Sequence, residues 1–393
     1  MLFRTFLFLA TLALIGPVQA VAAPHIVVDA RSGKVLSQEQ AFDRWYPASL
    51  TKLMTTYTVF KEIQSGRISL LSPVLITAHA LAEPPSKMGY PEGTVLNFDT
   101  AIKILMVKSA NDIATAIAES AAGSEAKFIS LMNANARALG MRDTNFVNAH
   151  GLHDPMQYTS ARDLAVLALA LQKEFPQRAG YFAIPAIRSG NRVLQNHNPL
   201  LQRFNGTTGM KTGFVCAAGL NIVVSAKRSG KSLVAVVLGG PTGQERNVRA
   251  ARLLTEAFRM NALFIRNKID TMKPTGAVNR FPVDMRETVC SRKKASNAKQ
   301  DDEEGQEGES VFAMKQPTLD DLEAKYLKPK GSNTRVVPIV LGNASGPDPF
   351  GLVAPATAQA TALVPENASN QPWPIVEGTK VKVPLPLPRP STN

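Results

Sequence analysis

Cysteine is scarce: Cys216 and Cys290 are the only two in 393 residues. The chain is therefore limited to one internal disulfide. In an oxidising compartment that bridge would close a long loop and contribute about 4 kcal/mol by loop-closure entropy. Spacing alone does not bring the two together, and a pair of free, buried thiols is the alternative. Aromatic residues are also few, at 6%, which disfavours a nucleic-acid binder built on stacked bases. Acidic residues are outnumbered 31 to 44 by Lys and Arg, leaving a net charge of +13. That balance suits an anionic partner such as a phospholipid surface or an acidic polymer. Beyond the first two dozen residues no run is apolar enough to span a bilayer. There is no internal repeat and no H-E-x-x-H zinc signature.

What is present begins with MLFRTFLFLATLALIGPVQAVAAP. One early Arg, an apolar run from Thr5 to Ile15, Gly16-Pro17 and then small residues form a secretion-signal pattern, with cleavage expected after Ala20, Ala22 or Ala23. Secretion further disfavours nucleic acid as a partner and places the mature protein in the periplasm. After the signal, HIVVDARSGKVLSQ reads as strand, turn, strand. In SLTKLMTTYTVFKEIQSG, Leu50, Leu53, Met54, Tyr57 and Phe60 recur at helical steps and Gly66 ends the run. FDTAIKILMVKSANDIATAIAESAAG gives two helices with a break at Ser109 to Asn111. Two more helices follow, with Ser124 and Ser160 as N-caps. GLNIVVSAKRSGKSLVAVVLGG reads as a hairpin of two buried strands around Ser229-Gly230, and RNVRAARLLTEAFRMNALF as a closing amphipathic helix. Strands joined by a short turn require an antiparallel sheet. The expected fold class is α/β: an antiparallel sheet flanked by helices, plus an all-helical subdomain.

Composition changes after residue 265. SRKKASNAKQDDEEGQEGES is a basic run followed by an acidic one, and from Pro329 the chain is rich in Pro, Ala, Thr and Asn. The expected division is a signal over 1–23, a catalytic domain over 24–265, an extension of uncertain structure over 266–290, and a disordered linker and tail over 291–393. A partial second domain over 266–290 and 311–341 is the alternative. The final VKVPLPLPRP is barred from a helix by its prolines, which leaves membrane association undecided.

Three short segments carry chemistry. In PASLTKLMT, Ser49 and Lys52 lie at i and i+3, on one face of a helix. A serine hydroxyl becomes a competent nucleophile when a base removes its proton, and a lysine whose amine is kept neutral by burial and nearby positive charge is such a base. VKSANDIA places Ser109 and Asn111 at a helix break, where capping is the simpler reading. TTGMKTGFV places Lys211, Thr212 and Gly213 on strand-like sequence, where a glycine lets a ligand approach the backbone; a solvated edge strand is the simpler reading. Each segment is weak alone.

In this order, S-x-x-K, S-x-N and K-T-G form the set found in penicillin-binding proteins and β-lactamases. Together with YPASLTKLMT, MVKSANDIA, FVNAHGLHD and GMKTG, they identify residues 24–265 as resembling the serine-type D-alanyl-D-alanine carboxypeptidases, the low-molecular-mass penicillin-binding proteins. The resemblance implies a penicillin-recognising serine transferase-like fold and a set of roles. Ser49 would be the nucleophile and Lys52 its base. Ser109 and Lys211 would relay a proton to the leaving D-alanine. Asn111 would hold the substrate amide and orient Lys52. The backbone N–H groups of Ser49 and Phe214 would receive the oxyanion, Lys211, Thr212 and Arg246 would meet the free carboxylate of the substrate, and Gly213 is a further substrate-binding position. Arg246 rests on spacing alone, and Arg249 is close by. The implied partners are peptidoglycan stem peptides and, as covalent inhibitors, β-lactams, with no cofactor.

His150 and His153 in NAHGLHD attract a metal reading, but no third ligand accompanies them in sequence, so no metal is expected there. KRSGKS lacks the first glycine of a phosphate-binding loop, Ser225 standing in its place. The alternatives are a DD-endopeptidase, a β-lactamase-like hydrolase and a non-catalytic cell-wall binding protein. Against the lactamase, no Glu occurs between Glu125 and Glu174, and the second motif has Ala110 where Asp is usual.

Overall fold

The computed structural model describes residues 23–291, 317–329, 331 and 334–353. The signal expected over 1–23 lies outside the described residues, Ala23 excepted. A five-stranded antiparallel sheet runs in the order β2-β1-β9-β8-β7. Its members are β1 His25–Asp29, β2 Val35–Glu39, β7 Thr207–Val215, β8 Gly219–Arg228 and β9 Lys231–Gly240. Between β2 and β7 the chain inserts strands β3 Pro73–Leu75, β4 Val95–Asn97, β5 Ala186–Ser189 and β6 Arg192–Gln195. The helices of this insertion are α1 Thr51–Gln64, α2 Ala78–Ala82, α3 Phe98–Val107, α4 Asn111–Ala122, α5 Glu125–Ala138, α6 Ala161–Glu174 and the single turn α7 Leu200–Arg203. Helix α8, Gly243–Arg259, closes the sheet.

Strands β8 and β9 read as continuous apolar runs because both of their faces are buried. Side chains alternate between faces along a strand. Val223, Val234, Val236 and Leu238 join one core with α1, α3, α4 and α6. Ile222, Val224, Leu233, Ala235 and Val237 join a second core with Val248, Leu253 and Leu254 of α8. The hairpin between them turns at Ser229 and Gly230, both at positive φ, as a two-residue turn matched to strand twist requires. Ser124 and Ser160 cap α5 and α6 by accepting from the backbone N–H groups of Lys127 and Asp163. The expected fold class is the observed one.

The sequence left the structure of residues 266–290 open, and part of 291–393 differs from expectation. Residues 266–290 wrap back over the domain. Val35 N–H donates to Asn267 O, Ile269 N–H to Gly33 O and Met285 N–H to Ala217 O. The stretch ends where Cys290 forms a disulfide with Cys216, which settles the open question of their pairing. Within 291–393, expected to be disordered, two segments are packed. The helix Leu319–Tyr326 lies on α8, and Leu327 is buried in the second core. Residues 334–353 form a strap: β10, Val336–Pro338, pairs in parallel with β5. The strap then follows the helical layer, where Thr100 Oγ1 donates to Val340 O and Asn97 Nδ2 to Asn343 O. The strap is stable despite its composition because the domain supplies the hydrogen-bond partners and the apolar surface that it cannot supply itself. The remainder of 291–393 lies outside the described residues. Among the described residues no helix is long and apolar enough to cross a membrane.

Candidate active site

Three elements meet at one end of the sheet. A 3₁₀ turn, Ala48–Leu50, leads directly into α1 and carries Ser49. Lys52 sits in the first turn of α1 and is fully buried. The break between α3 and α4 carries Ser109, held at φ +61, and Asn111, the first residue of α4. The edge strand β7 carries Lys211, Thr212 and Gly213.

The side chains form two linked pairs. Lys52 Nζ donates to Ser49 Oγ at 3.1 Å, to Asn111 Oδ1 at 2.8 Å and to the carbonyl oxygen of His150 at 2.5 Å. Lys211 Nζ donates to Ser109 Oγ at 2.9 Å and to Thr212 O at 3.0 Å. Ser109 and Asn111 are two residues apart, so the helix break joins the pairs into one constellation. Asn111 is fixed in turn: its Nδ2 donates to Pro84 O at 2.9 Å and its backbone N–H to Ser86 O at 2.7 Å.

Both lysines are held away from their usual charge state. Burial, followed by the nearby charge of Lys211, pushes Lys52 well below the ordinary lysine range, against the opposing pull of Glu83 and Asp112. Burial, followed by the charge of Arg246, lowers Lys211 to about 7. Arg246 is itself buried, in the first turns of α8, and desolvation lowers it to about 10. Arg249 points elsewhere: its guanidinium donates to Ala23 O and Glu39 on the β1–β2 side. The structure thus separates two arginines that spacing left close to equivalent.

Backbone proximity explains Gly213. A Cβ on this residue would lie 3.0 Å from Pro47 O, 3.0 Å from Ser49 N and 3.1 Å from Leu50 N. Strand β7 therefore runs backbone-to-backbone against the turn that carries Ser49. The ring of Phe214, the next residue, is half exposed at the rim. Ser49, Lys52, Ser109, Asn111, Lys211, Thr212, Gly213 and Phe214 lie on these three elements, and Arg246, on α8, is near enough for its charge to lower Lys211.

Several contributors escape sequence reading. Asn221, buried on β8 opposite Gly213, donates from Nδ2 to Tyr46 O at 2.9 Å and to Pro47 O at 3.3 Å, and accepts from Gly239 N–H at 2.9 Å. It pins the serine turn to the sheet, and nothing marks it within GLNIVV. The carbonyl of His150 is a backbone group, so no residue type announces it. His197 is depressed to about 4 by burial and then by the charges of Lys211, Lys108, Lys52 and Arg246, which places it beside the same positive field. His153 stacks edge-on against Tyr46, and His150 Nε2 lies 3.3 Å from Glu83 Oε1, so the two histidines serve different neighbours.

Comparison with known proteins adds the following. The peptidase S11 family profile, D-alanyl-D-alanine carboxypeptidase, matches residues 13–242. The D-alanyl-D-alanine carboxypeptidase DacC of Escherichia coli (strain K12) is 36% identical over 270 residues, 65% of this chain and 67% of that protein. The matches span about two thirds of the length of such curated relatives. Penicillin-binding protein 5 of Haemophilus influenzae superposes with a TM-score of 0.58 at 33% identity, covering 62% of this chain and 72% of that one. Penicillin-binding protein D2 of Listeria monocytogenes, in a cefotaxime-bound form, superposes with a TM-score of 0.55 at 26% identity, covering 61% of this chain and 97% of that one.

Proposed function

Since the chain belongs to the D-alanyl-D-alanine carboxypeptidase family, we propose that it is a periplasmic serine peptidase that removes the terminal D-alanine from peptidoglycan stem peptides through an acyl-Ser49 intermediate. The observation that carries this reading is the pairing of each serine with a buried lysine, Lys52 with Ser49 and Lys211 with Ser109. A buried amine with a depressed pKa gives up its proton readily, so Lys52 is suited to accept one from Ser49 and Lys211, lowered to about 7, to pass one to Ser109.

The steps follow from the contacts. Lys52 Nζ takes the proton of Ser49 Oγ, and the oxygen attacks the carbonyl between the last two D-alanines. The oxyanion forms beside the N–H of Ser49 and the strand at Phe214, donors whose removal typically costs about 3 kcal/mol each. As the C–N bond breaks, the leaving amine takes the Ser109 hydroxyl proton, which Lys211 replaces. D-alanine departs and the acyl ester remains on Ser49. Loss of a proton from Lys52 and uptake of one by Lys211 then restore both amines. Water attacks the ester, giving a proton to Lys52, which passes it to Ser49 Oγ as the ester C–O bond breaks and the shortened peptide leaves. The substrate carboxylate meets Lys211, Thr212 and Arg246, a cationic pocket suited to a free chain end. The open edge of β7 offers backbone groups for an extended peptide to pair with.

A β-lactam would follow the same first step. Its leaving nitrogen stays tethered to the acyl group, and no Glu between Glu125 and Glu174 is available to speed hydrolysis, so a long-lived adduct is expected. Two assays test the reading: covalent labelling with a fluorescent penicillin, and D-alanine release from a pentapeptide. Ser49→Ala should lose both. A wild-type chain that labels without releasing D-alanine would remove the carboxypeptidase reading. A chain that does neither would remove the enzyme.

A further inference from the structure

Among the described residues, a further group of side chains, apart from the serine pocket, converges in the helical layer. His79 lies on α2, Glu83 caps the C-terminus of that helix, and Glu125 opens α5. Residues 79 and 83 are one helical turn apart, so they share a face. Each of the three offers one ligand atom, and these atoms lie within 4.8 Å of one another. Donors around a tetrahedral cation at about 2.1 Å stand roughly 3.4 Å apart. A small contraction closes the set, and His79, more than half exposed, is free to make it.

Each donor is held from behind by a group outside the set. His79 Nδ1 lies 2.7 Å from Glu119 Oε1, and Glu119 Oε2 accepts from Thr77 Oγ1 at 2.6 Å. A carboxylate behind an imidazole is the arrangement that fixes a ligating histidine's tautomer and leaves its other nitrogen to the metal. Glu83 Oε1 accepts from Thr115 Oγ1 at 2.9 Å, and Glu125 Oε1 from Ala149 N–H at 3.1 Å. Among the described residues no lysine or arginine pairs with Glu83, Glu119 or Glu125, although the chain carries an excess of positive charge. Three carboxylates with only imidazoles for company leave negative charge for a cation to answer.

We propose that His79, Glu83 and Glu125 bind a divalent transition cation of the zinc class, with Glu119 orienting the histidine. One nitrogen and two oxygens without thiolate suit Zn²⁺, and the imidazole disfavours Ca²⁺ and Mg²⁺. The cation takes no part in the peptidase chemistry. It clamps α2 to the start of α5, beside the Ala149–His150 segment whose carbonyl receives Lys52.

The test uses chelator-treated full-length mature protein titrated with Zn²⁺ alone. One saturable equivalent and a rise in Tm of roughly 5 °C at excess metal are expected. Co²⁺ in its place should give the visible absorption of a four-coordinate site. His79→Ala and Glu125→Gln should abolish the equivalent. Glu119→Gln, which keeps all three ligands, should weaken it about 10- to 100-fold. D-alanine release by metal-free His79→Ala should match that of the metal-free parent. Absence of saturable binding would overturn the proposal, with a proton on His79 then answering the carboxylates. Binding that survives His79→Ala would assign the ion to another histidine and overturn it equally. Ca²⁺ or Mg²⁺ displacing Zn²⁺ at equal concentration would overturn the choice of metal class.

Discussion

Gly213→Ala offers the sharpest trial of the site geometry, because it adds one methyl group and no charge. The added carbon would meet three backbone atoms of the serine turn at 3.0 to 3.1 Å. Ordinary carbon contacts begin near 3.4 Å, and the atoms involved belong to main chain rather than to a mobile side-chain end. Strand and turn must therefore separate by a few tenths of an ångström. Overpacking of this kind costs about 1–3 kcal/mol of stability. The larger effect falls on rate. The separation widens the gap between Ser49 and the strand that would hold both the oxyanion donor and the substrate, and misplacements approaching 1 Å cost on the order of 100-fold. The expected result is a 10- to 100-fold slower acylation by fluorescent penicillin, with Tm lowered by a few degrees. Gly180→Ala is the matched control, since a Cβ there meets nothing within 4 Å, and it should acylate at the parental rate. Gly213→Ala acylating as fast as Gly180→Ala would refute the claim that this strand and the serine turn are in backbone contact.

Arg246→Ala should raise KM for a peptide with a free C-terminus, with a loss in kcat/KM of about 10- to 100-fold, the worth of one charge-assisted contact. The same change removes a charge that depresses Lys211. If the reaction needs Lys211 protonated, kcat/KM falls as pH rises through about 7 in the parent, and that descending limb should move to higher pH in the variant; a limb that stays put would separate Arg246 from Lys211. Asn221→Leu leaves Gly239 N–H and the carbonyl of Tyr46 without their partner, which should cost about 1–3 kcal/mol in urea unfolding and slow acylation as well. Replacing both Cys216 and Cys290 with serine opens a loop of sequence separation 74 and should lower unfolding free energy by about 4 kcal/mol, while an unchanged urea midpoint would show the bridge to be idle.

The parts of the fold legible in sequence are those in which the signal is local. Apolar periodicity marks α1, α3, α4 and α6, serine caps mark α5 and α6, and uninterrupted apolar runs mark β8 and β9. The Ser49–Lys52 pair was legible because one helical turn fixes it. Its convergence with Lys211 was legible only through resemblance, since nothing local states that Ser109 and Lys211, 102 positions apart, will touch. The strap at 334–353 was hidden for a physical reason. Val337 and Ile339 pack against the main core while β10 pairs with β5, so the segment's own composition carries almost no sign of folding. Asn221 and the His150 carbonyl were hidden because the first is one polar letter in an apolar strand and the second is a backbone atom.

The route of the chain after Cys290 also decides what a broken backbone would do. Both the helix on α8 and the strand beside β5 dock beyond the stretch 292–316, and each is secured by its own contacts. A protease cut in that stretch would yield two polypeptides on a denaturing gel and one particle in a sizing column. Were the downstream piece made separately, it should find its seat on the upstream one, making this protein a natural two-part reporter whose reunion can be read as recovered thermal resistance.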